Sequence, residues 1–396
     1  MNSPDSGQAR LVYLIAGEPS GDRLGARLMA ALKDQATGDI TFRGIGGAHM
    51  GAEGLESRFP IDELSVMGIA EVLPRLAGLL RRIRETADDI RTSRPEVLVT
   101  IDAPDFGLRV AKRLAGQGIP LVHYVAPSVW AWKPGRAKKM ARYLDHVMTL
   151  LPFEPPYFTR HGLAATFTGH PVLESGAGTG DGRDFRARHQ ISADATLLCL
   201  LPGSRSGEVR RLMPIFKEVM AALAPGHPGL VTVMPTVDHV ADYLRSEIGH
   251  WPEPPLIVAG EAEKFDAFAA SDAALAASGT VGLELAAAGV PHVVAYRFNW
   301  LTNKLAHALV QGDYVHLVNV ALGEAVVPEF ILEQCRAEPI AAAVAGLLDD
   351  AEARAHQSER FQIAMQSLAP TDASPGAAAA NVVLELIKKS KAVAAG

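Results

Sequence analysis

Short, wholly apolar runs alternate with longer stretches of three-and-four apolar periodicity along most of the chain, and two of those runs end in a glycine turn that opens a helix. This alternation predicts an α/β protein whose parallel strands are joined by right-handed helical crossovers. A glycine-rich interruption near the middle, after which the pattern restarts, predicts two such domains.

The elements follow in order. Leu11 to Ala16 reads as a first buried strand, ended by Gly17-Glu18-Pro19-Ser20-Gly21-Asp22, with a helix on Leu24, Leu28, Ala31 and Leu32. Ile40 to Ile45 is a second strand. Glu96 to Ile101 is a third, leading into Asp102-Ala103-Pro104-Asp105-Phe106 and a helix on Leu108, Ala111 and Leu114. Leu121 to Ala126, His146 to Leu150 and Ala165 to Thr168 complete a first domain, residues 1–173. Glu174 to Asp184, with Gly176, Gly178, Gly180 and Gly182, reads as a linker. Strands are then predicted at 197–201, 230–234, 255–258, 273–276 and 292–296, giving a second domain over 185–365. The alanine-rich end, 366–396, is expected to be a helix crossing back onto the first domain. Both domains are Rossmann-like, with their parallel sheets expected to face each other across a cleft.

Composition narrows the function. With 396 residues the chain can bury two cores, and 48% hydrophobic with 21% charged residues is globular. A net charge of −6 argues against nucleic acid as a partner. Two cysteines, Cys199 and Cys335, supply neither a disulfide framework nor a metal site. The start of the chain, Met1 to Arg10, is polar and no apolar run is long enough to span a bilayer, so the expected compartment is cytoplasmic.

The richest stretch is 196–211, where the run Leu197–Leu201 stops at Pro202-Gly203 and a helix follows. A strand, a small-residue turn and a helix start gather free N–H groups and a positive dipole end at one point, which favours an anion. Gly203 and Ser204 form that turn, and Arg205 adds a guanidinium suited to phosphate oxygens. The plain alternative is an ordinary turn with a solvated arginine. Ser278-Gly279-Thr280-Val281-Gly282-Leu283-Glu284 forms a second such helix start. Thr280 is placed for phosphate and Glu284, one turn in, for ribose hydroxyls, although a glutamate also favours a first helical turn through the dipole alone. Together these residues describe a nucleoside diphosphate.

Asp102 follows a buried strand and suits a general base, whereas Asp105 suits a helix cap. Glu18, Ser20 and Asp22 in the first glycine turn suit hydroxyl recognition, with capping by Ser20 or Asp22 the structural alternative.

Two stretches point to a lipid surface. Val66, Met67, Ile69, Leu73, Leu76, Leu80 and Ile83 form an apolar stripe edged by Arg75, Arg81, Arg82 and Arg84, with Pro74 expected to break the helix. A core helix has the same periodicity. Residues 130–142 add Trp130, Trp132, Lys133, Arg136, Lys138, Lys139 and Arg142, aromatic and basic as at a membrane interface. There is no Asp-x-Asp triplet, no His-x-x-x-His spacing and no Gly-x-Ser-x-Gly elbow, and Gly44-Ile45-Gly46-Gly47 only half matches a dinucleotide fingerprint. The expectation is an enzyme with no metal and no cofactor.

At these residues the chain resembles the lipid-A-disaccharide synthase family, glycosyltransferases of the two-Rossmann GT-B type. Gly17 to Asp22 resembles its GExSGD, Val66-Met67-Gly68 with Glu71-Val72-Leu73 its VMG-xx-EVL, and Asp102 to Phe106 its DAPDF. His123 to Trp132 resembles HYVxPSVWAW, Pro202 to Arg205 PGSR, and Ser278 to Glu284 SGTxxLE. The resemblance implies a UDP-sugar site in the second domain and an acceptor site in the first. It implies inverting transfer of a 2,3-diacylglucosamine from UDP to 2,3-diacylglucosamine 1-phosphate, giving a β-1,6-linked disaccharide 1-phosphate and UDP. Asp102 takes the position of the general base, with Glu18 as a second catalytic carboxylate. Asn319 is implied to contact the nucleotide. The chain departs from the family's DYVSLPN at 313–319, where His316 and Val318 replace serine and proline. The implied location is peripheral, on the inner face of the cytoplasmic membrane with its anionic surface as partner, and a homodimer is compatible with it. Two rival readings stand beside this one. A UDP-sugar 2-epimerase would use the same scaffold but not the arginine-edged stripe, and a non-catalytic membrane-surface protein would leave Asp102 and Glu18 without a task.

Overall fold

The computed structural model describes residues 10–64, 69–131, 133–297 and 314–395, without the side chains of 69–76 and 393–395. It divides into two compact units, one made of residues 1–171 with 368–396 and the other of residues 172–367.

The first unit is a seven-stranded parallel sheet: β1 (Arg10–Ala16), α1 (Pro19–Gln35), β2 (Ile40–Ile45), α2 (Ala48–Ala52), β3 (Glu56–Ser57), α3 (Ile69–Ser93), β4 (Val97–Ile101), α4 (Pro104–Leu114), β5 (Leu121–Tyr124), α5 (Gly135–Met140), β6 (His146–Thr149), α6 (Pro155–Thr159) and β7 (Ala164–Phe167). Its strand order is β3-β2-β1-β4-β5-β6-β7, so the direction of winding reverses between β1 and β4. The central strands are mostly apolar because both faces are covered. Val12, Leu14 and Ala16 meet Leu24, Leu28 and Leu32 of α1, while Tyr13 and Ile15 lie in the core of Ile83, Ala87 and Ile90 of α3. The C-terminal helix Pro375–Ala395 belongs to this unit and buries Ala379, Ala380, Val383, Leu384 and Ile387 against the α1 side.

The second unit holds α7 (Gly182–Arg188), β8 (Leu197–Leu201), α8 (Ser206–Leu223), β9 (Val231–Thr236), α9 (Asp238–Ile248), β10 (Leu256–Ala259), α10 (Glu261–Ala270), β11 (Ala273–Ala277), α11 (Thr280–Ala287), β12 (His292–Tyr296), α12 (Leu317–Leu322), β13 (Glu329–Ile331), α13 (Ala337–Asp349) and α14 (Ala351–Ser367). Its six parallel strands run β10-β9-β8-β11-β12-β13, reversing between β8 and β11. Leu198 and Leu200 face α8 and α13, and Leu197, Cys199 and Leu201 face α7 and α10.

Two expectations are corrected here, and two strands are added. The glycine-rich segment is no free linker: Gly180 and Gly182 lie against the backbone of α10, at Phe265 and Ala269, so tightly that a Cβ would collide. These glycines serve close approach, and Asp181 then caps α7 by accepting from Arg183 N and Asp184 N, both at 3.0 Å. The helix α3 runs through Pro74 without a break. The edge strands β3 and β13 carry no sequence signal because they are two and three residues long and not fully buried.

The closing helix should contribute strongly to stability. Ile387→Ala, at a side chain only 1% exposed, should cost about 2–5 kcal/mol in urea unfolding, whereas Lys388→Ala on the exposed side should stay within about 0.5 kcal/mol. Equal, small effects would show that the helix does not anchor the first sheet.

Candidate active site

In an open parallel sheet, ligands bind beyond the carboxyl ends of the strands where the winding reverses. In the first unit that place is the end of β1 and β4, and it carries the turn 17–22 and Asp102. Pro19 at the head of α1 needs no N–H partner there and fixes the helix start. Ser20, in the first turn, donates its hydroxyl to Asp102 Oδ2 at 2.8 Å, across 82 residues of sequence. Asp102 N donates to Tyr124 O at 2.9 Å, extending the β4–β5 ladder by one residue.

The backbone at this end is strained. Asp102 and Ala103 have φ of +51° and +31°, and Val125, after β5, has +73°, a left-handed conformation rare for a β-branched residue. Such residues cost about 1–3 kcal/mol each and persist where the surroundings over-determine them. Other non-glycine residues of the chain share this conformation, Arg94, Gln190 and Leu332 among them, and at Asp102 and Ala103 it falls where the sheet topology expects a ligand.

Glu18 occupies the N-cap position of α1 with extended backbone, but its side chain does not cap the helix. Asp22 is buried and serves a different helix from its own: its carboxylate accepts from Gly47 N (2.7 Å), His49 N (3.0 Å) and Met50 N (3.1 Å), closing the turn into α2. The cap expected of Asp105 is not made. Ala103 holds the N-cap position of α4, and Asp105 is an exposed first-turn acid there.

The lipid-directed residues divide. Val66, Met67 and Trp132 lie outside the described residues, as do the side chains of Ile69, Leu73 and Leu76. Leu80 is exposed at 37%, whereas Ile83, which was grouped with it, is core. Trp130 is tied to the turn after β6. Its ring is half-buried, packs edge-on against Phe153 and donates Nε1–H to Glu154 at 3.0 Å. Glu154, which also accepts from Leu150 N and Leu151 N, is buried, and burial pushes its carboxyl up to about 7 despite those donors. Lys133, Lys138 and Lys139 are exposed and Arg136 is half-buried. Burial and the Arg136 charge hold the ring of His123 down at about 3, and its Nδ1 meets Thr100 Oγ1 at 2.8 Å.

The second unit repeats the arrangement at the ends of β8 and β11. Gly203 turns with φ of +115°, and Arg205 sits at the N-cap of α8 with its side chain exposed. Ser204 N donates to Glu208 Oε2 at 3.2 Å, so a carboxylate of the chain itself rests on this anion-seeking turn. Beyond β11, Thr280 is the exposed first residue of α11. Glu284, one turn in, accepts from Lys264 Nζ at 3.1 and 3.0 Å. Nothing in the sequence flagged Lys264 or Glu208, since each acquires meaning only through a distant partner or a turn closing back on itself.

Asn319 is corrected. It is buried, its Nδ2 donates to Val327 O and Glu329 Oε1, and its Oδ1 accepts from Val326 N and Val327 N. All four hydrogen-bonding positions of the amide are spent inside the chain, so its side chain has none left for a nucleotide.

Two doubly wound parallel sheets with polar loops at both winding reversals define the GT-B class of sugar-nucleotide enzymes. Solved structures agree on the scaffold: UDP-GlcNAc 2-epimerase from Neisseria meningitidis, bound to UDP-GlcNAc, superposes with a TM-score of 0.62 at 13% identity over 96% of this chain and 100% of its own. CalG4, the calicheamicin glycosyltransferase, gives 0.60 at 17% over 97% and 99%. The lipid-A-disaccharide synthetase family profile matches residues 12–383. Lipid-A-disaccharide synthases of Rhodospirillum centenum and Ruegeria pomeroyi are 49% and 48% identical over 96% of this chain, covering 95% and 96% of their own lengths. The chain belongs to the lipid-A-disaccharide synthase family and is a glycosyltransferase; the epimerase likeness reflects the shared scaffold.

The buried histidines predict the acid limit of this structure. Burial lowers His123 to about 3, His170 and His292 to about 4, and His316 well below the usual value. With native values below the unfolded one near 6.5, the native state binds fewer protons. Their contribution is full above about pH 6.5 and is lost as pH falls toward 4, by up to about 1.4 kcal/mol per pH unit for each ring. Glu154 has the opposite sign, costing stability as pH rises toward 7. Melting temperature should therefore start to fall just below pH 6.5. A flat profile down to pH 5 would contradict the neutral buried rings.

Proposed function

We propose that the chain moves a diacylated glucosamine from UDP to the 6-hydroxyl of a diacylated glucosamine 1-phosphate, with the acceptor on the first unit and the donor on the second. The observation that carries this reading is the placement of the polar loops. Asp102 with Ser20, and Arg205 with Thr280 and Glu284, stand at the winding reversals of the two sheets, where such sheets take ligands.

In the reaction the acceptor oxygen attacks the anomeric carbon, its proton passes to Asp102, and the bond from that carbon to the UDP oxygen breaks with inversion. Ser20 occupies Oδ2 of Asp102, which turns Oδ1 to the acceptor hydroxyl. The strained backbone fixes that direction in advance. The departing diphosphate gains charge, and the N–H groups at the starts of α8 and α11, with Arg205, neutralise it. Glu208 must withdraw from Ser204 N as a phosphate oxygen takes its place, and Glu284 must exchange Lys264 for ribose hydroxyls. Glu18, at the head of α1 in the same turn as Ser20, acts on the acceptor sugar.

The acyl chains of both substrates require a lipid surface, and two features support one here. Leu80 lies exposed on α3 near Arg81 and Arg84, and Lys133, Lys138 and Lys139 stand exposed together. Among the described residues no helix is long and apolar enough to cross a membrane, so the reading is contact at the surface of an anionic bilayer rather than insertion across it.

Asp102→Asn should leave UDP affinity intact and slow acceptor-dependent UDP release by about 10²–10⁴. Near-normal turnover would remove Asp102 from the chemistry, and acceptor-free isomerisation of the donor sugar would favour the epimerase instead. On vesicles containing anionic lipid, Lys138→Ala with Lys139→Ala should remove the salt-sensitive part of binding, roughly 1 kcal/mol per charge. Leu80→Ser should lower the salt-resistant part with little change in melting temperature. Binding untouched by all three substitutions would place the membrane contact elsewhere.

A further inference from the structure

His292, at the start of β12, and His316, in the segment before α12, form a buried pair with their Nε2 atoms 3.1 Å apart. The hydrogen-bond partners fix where the protons are. His292 Nδ1 is 2.9 Å from Val290 O, which can only accept, so Nδ1 carries the proton and Nε2 is a bare acceptor. His316 must then donate Nε2–H to it, leaving its own Nδ1 as the acceptor for Val318 N at 3.3 Å. All four ring nitrogens are satisfied in the neutral state and in that arrangement alone, and burial keeps both rings uncharged.

The pair joins three pieces of the second unit. The His292 ring packs between His316 and Phe361 of α14, each 5.0 Å away, and its backbone N–H donates to Gln357. Around His316 the segment is held by Glu329, which accepts from Val315 N and His316 N at 2.9 and 3.0 Å. The His316 ring also lies directly against α11. A Cβ at Gly282 would collide with its Nε2, so the glycine of the Ser278–Glu284 helix start is the notch that receives this ring.

His316 and Val318, the two positions where the chain departs from the motif it resembles, are in hydrogen-bond contact here. A proline at 318 has no N–H, and the valine here supplies the donor that sets the His316 tautomer.

We propose that the His292–His316 pair positions α11, and with it Thr280 and Glu284, for the nucleotide half of the donor. The pair is a positioning unit, acting through the helix it supports. This rests on the donor assignment made above.

The test separates hydrogen bond from bulk. His316→Gln reaches as far as Nε2 and can still donate to His292, whereas His316→Asn reaches only as far as Nδ1 and cannot. The Asn variant should raise the donor KM and the calorimetric Kd for UDP together by about tenfold, because α11 would no longer hold Thr280 and Glu284 in place for the nucleotide. Its acceptor KM should stay within about twofold, kcat should fall together with UDP affinity because α11 also meets the departing diphosphate, and His316→Gln should recover most of both losses. If the Asn variant gives no cooperative melt, Val318→Pro removes only the donor to His316 Nδ1 and leaves the bond between the rings, so it should weaken UDP in the same direction by a smaller factor. A folded variant with unchanged UDP Kd and donor KM overturns the proposal, as do equal losses in Gln and Asn. Failure of the unmodified protein to bind UDP at all would overturn the donor assignment first, and would be seen before any variant is made.

Discussion

The pairing of β1 with β4, and of β8 with β11, is the constraint on which the rest depends. At each junction the chain leaves one strand for one side of the sheet and the neighbouring strand for the other. Two helices therefore diverge from adjacent strand ends, and the space between them cannot be filled by either crossover. Polar loops are tolerated there because solvent or ligand can satisfy them. Four of the motifs singled out in the sequence, at 17–22, 102–106, 202–205 and 278–284, fall on these two junctions.

Around the first junction the structure spends stability on direction. Asp102, Ala103 and Val125 hold left-handed backbone without being glycine, and Ser20 then takes one oxygen of Asp102. A carboxylate held in this way presents a defined face, which suits the general base proposed for it. Asp22 and Glu154 use their charge differently. Each is buried against three N–H donors and holds a turn of the first unit.

Around the second junction the chain supplies its own stand-ins. Glu208 rests on Ser204 N and Lys264 on Glu284, which are the partners that a diphosphate and a ribose would claim. Asn319, Glu329 and the two histidines lock the segment before α12 by hydrogen bonds to one another and to its backbone.

The sequence by itself determined the class of fold, most strand positions and the family. A strand covered on both faces must be a short apolar run, and motifs built on glycine and proline turns are local. Leu197–Leu201 and His292–Tyr296 coincide with their predicted bounds for this reason. The tertiary structure decided what depends on partners far along the chain. It turned a glycine-rich stretch from linker to close-packed turn at α10, because flexibility and close approach call for the same residue. It drew Trp130 inward to Glu154, sent Ile83 to the core while Leu80 stayed outside, and gave Asn319 an internal task. It also paired His292 with His316 beneath Gly282. A hydrogen bond or a collision between residues tens of positions apart leaves no periodicity to read, since only the folded sheet sets which strand ends become neighbours.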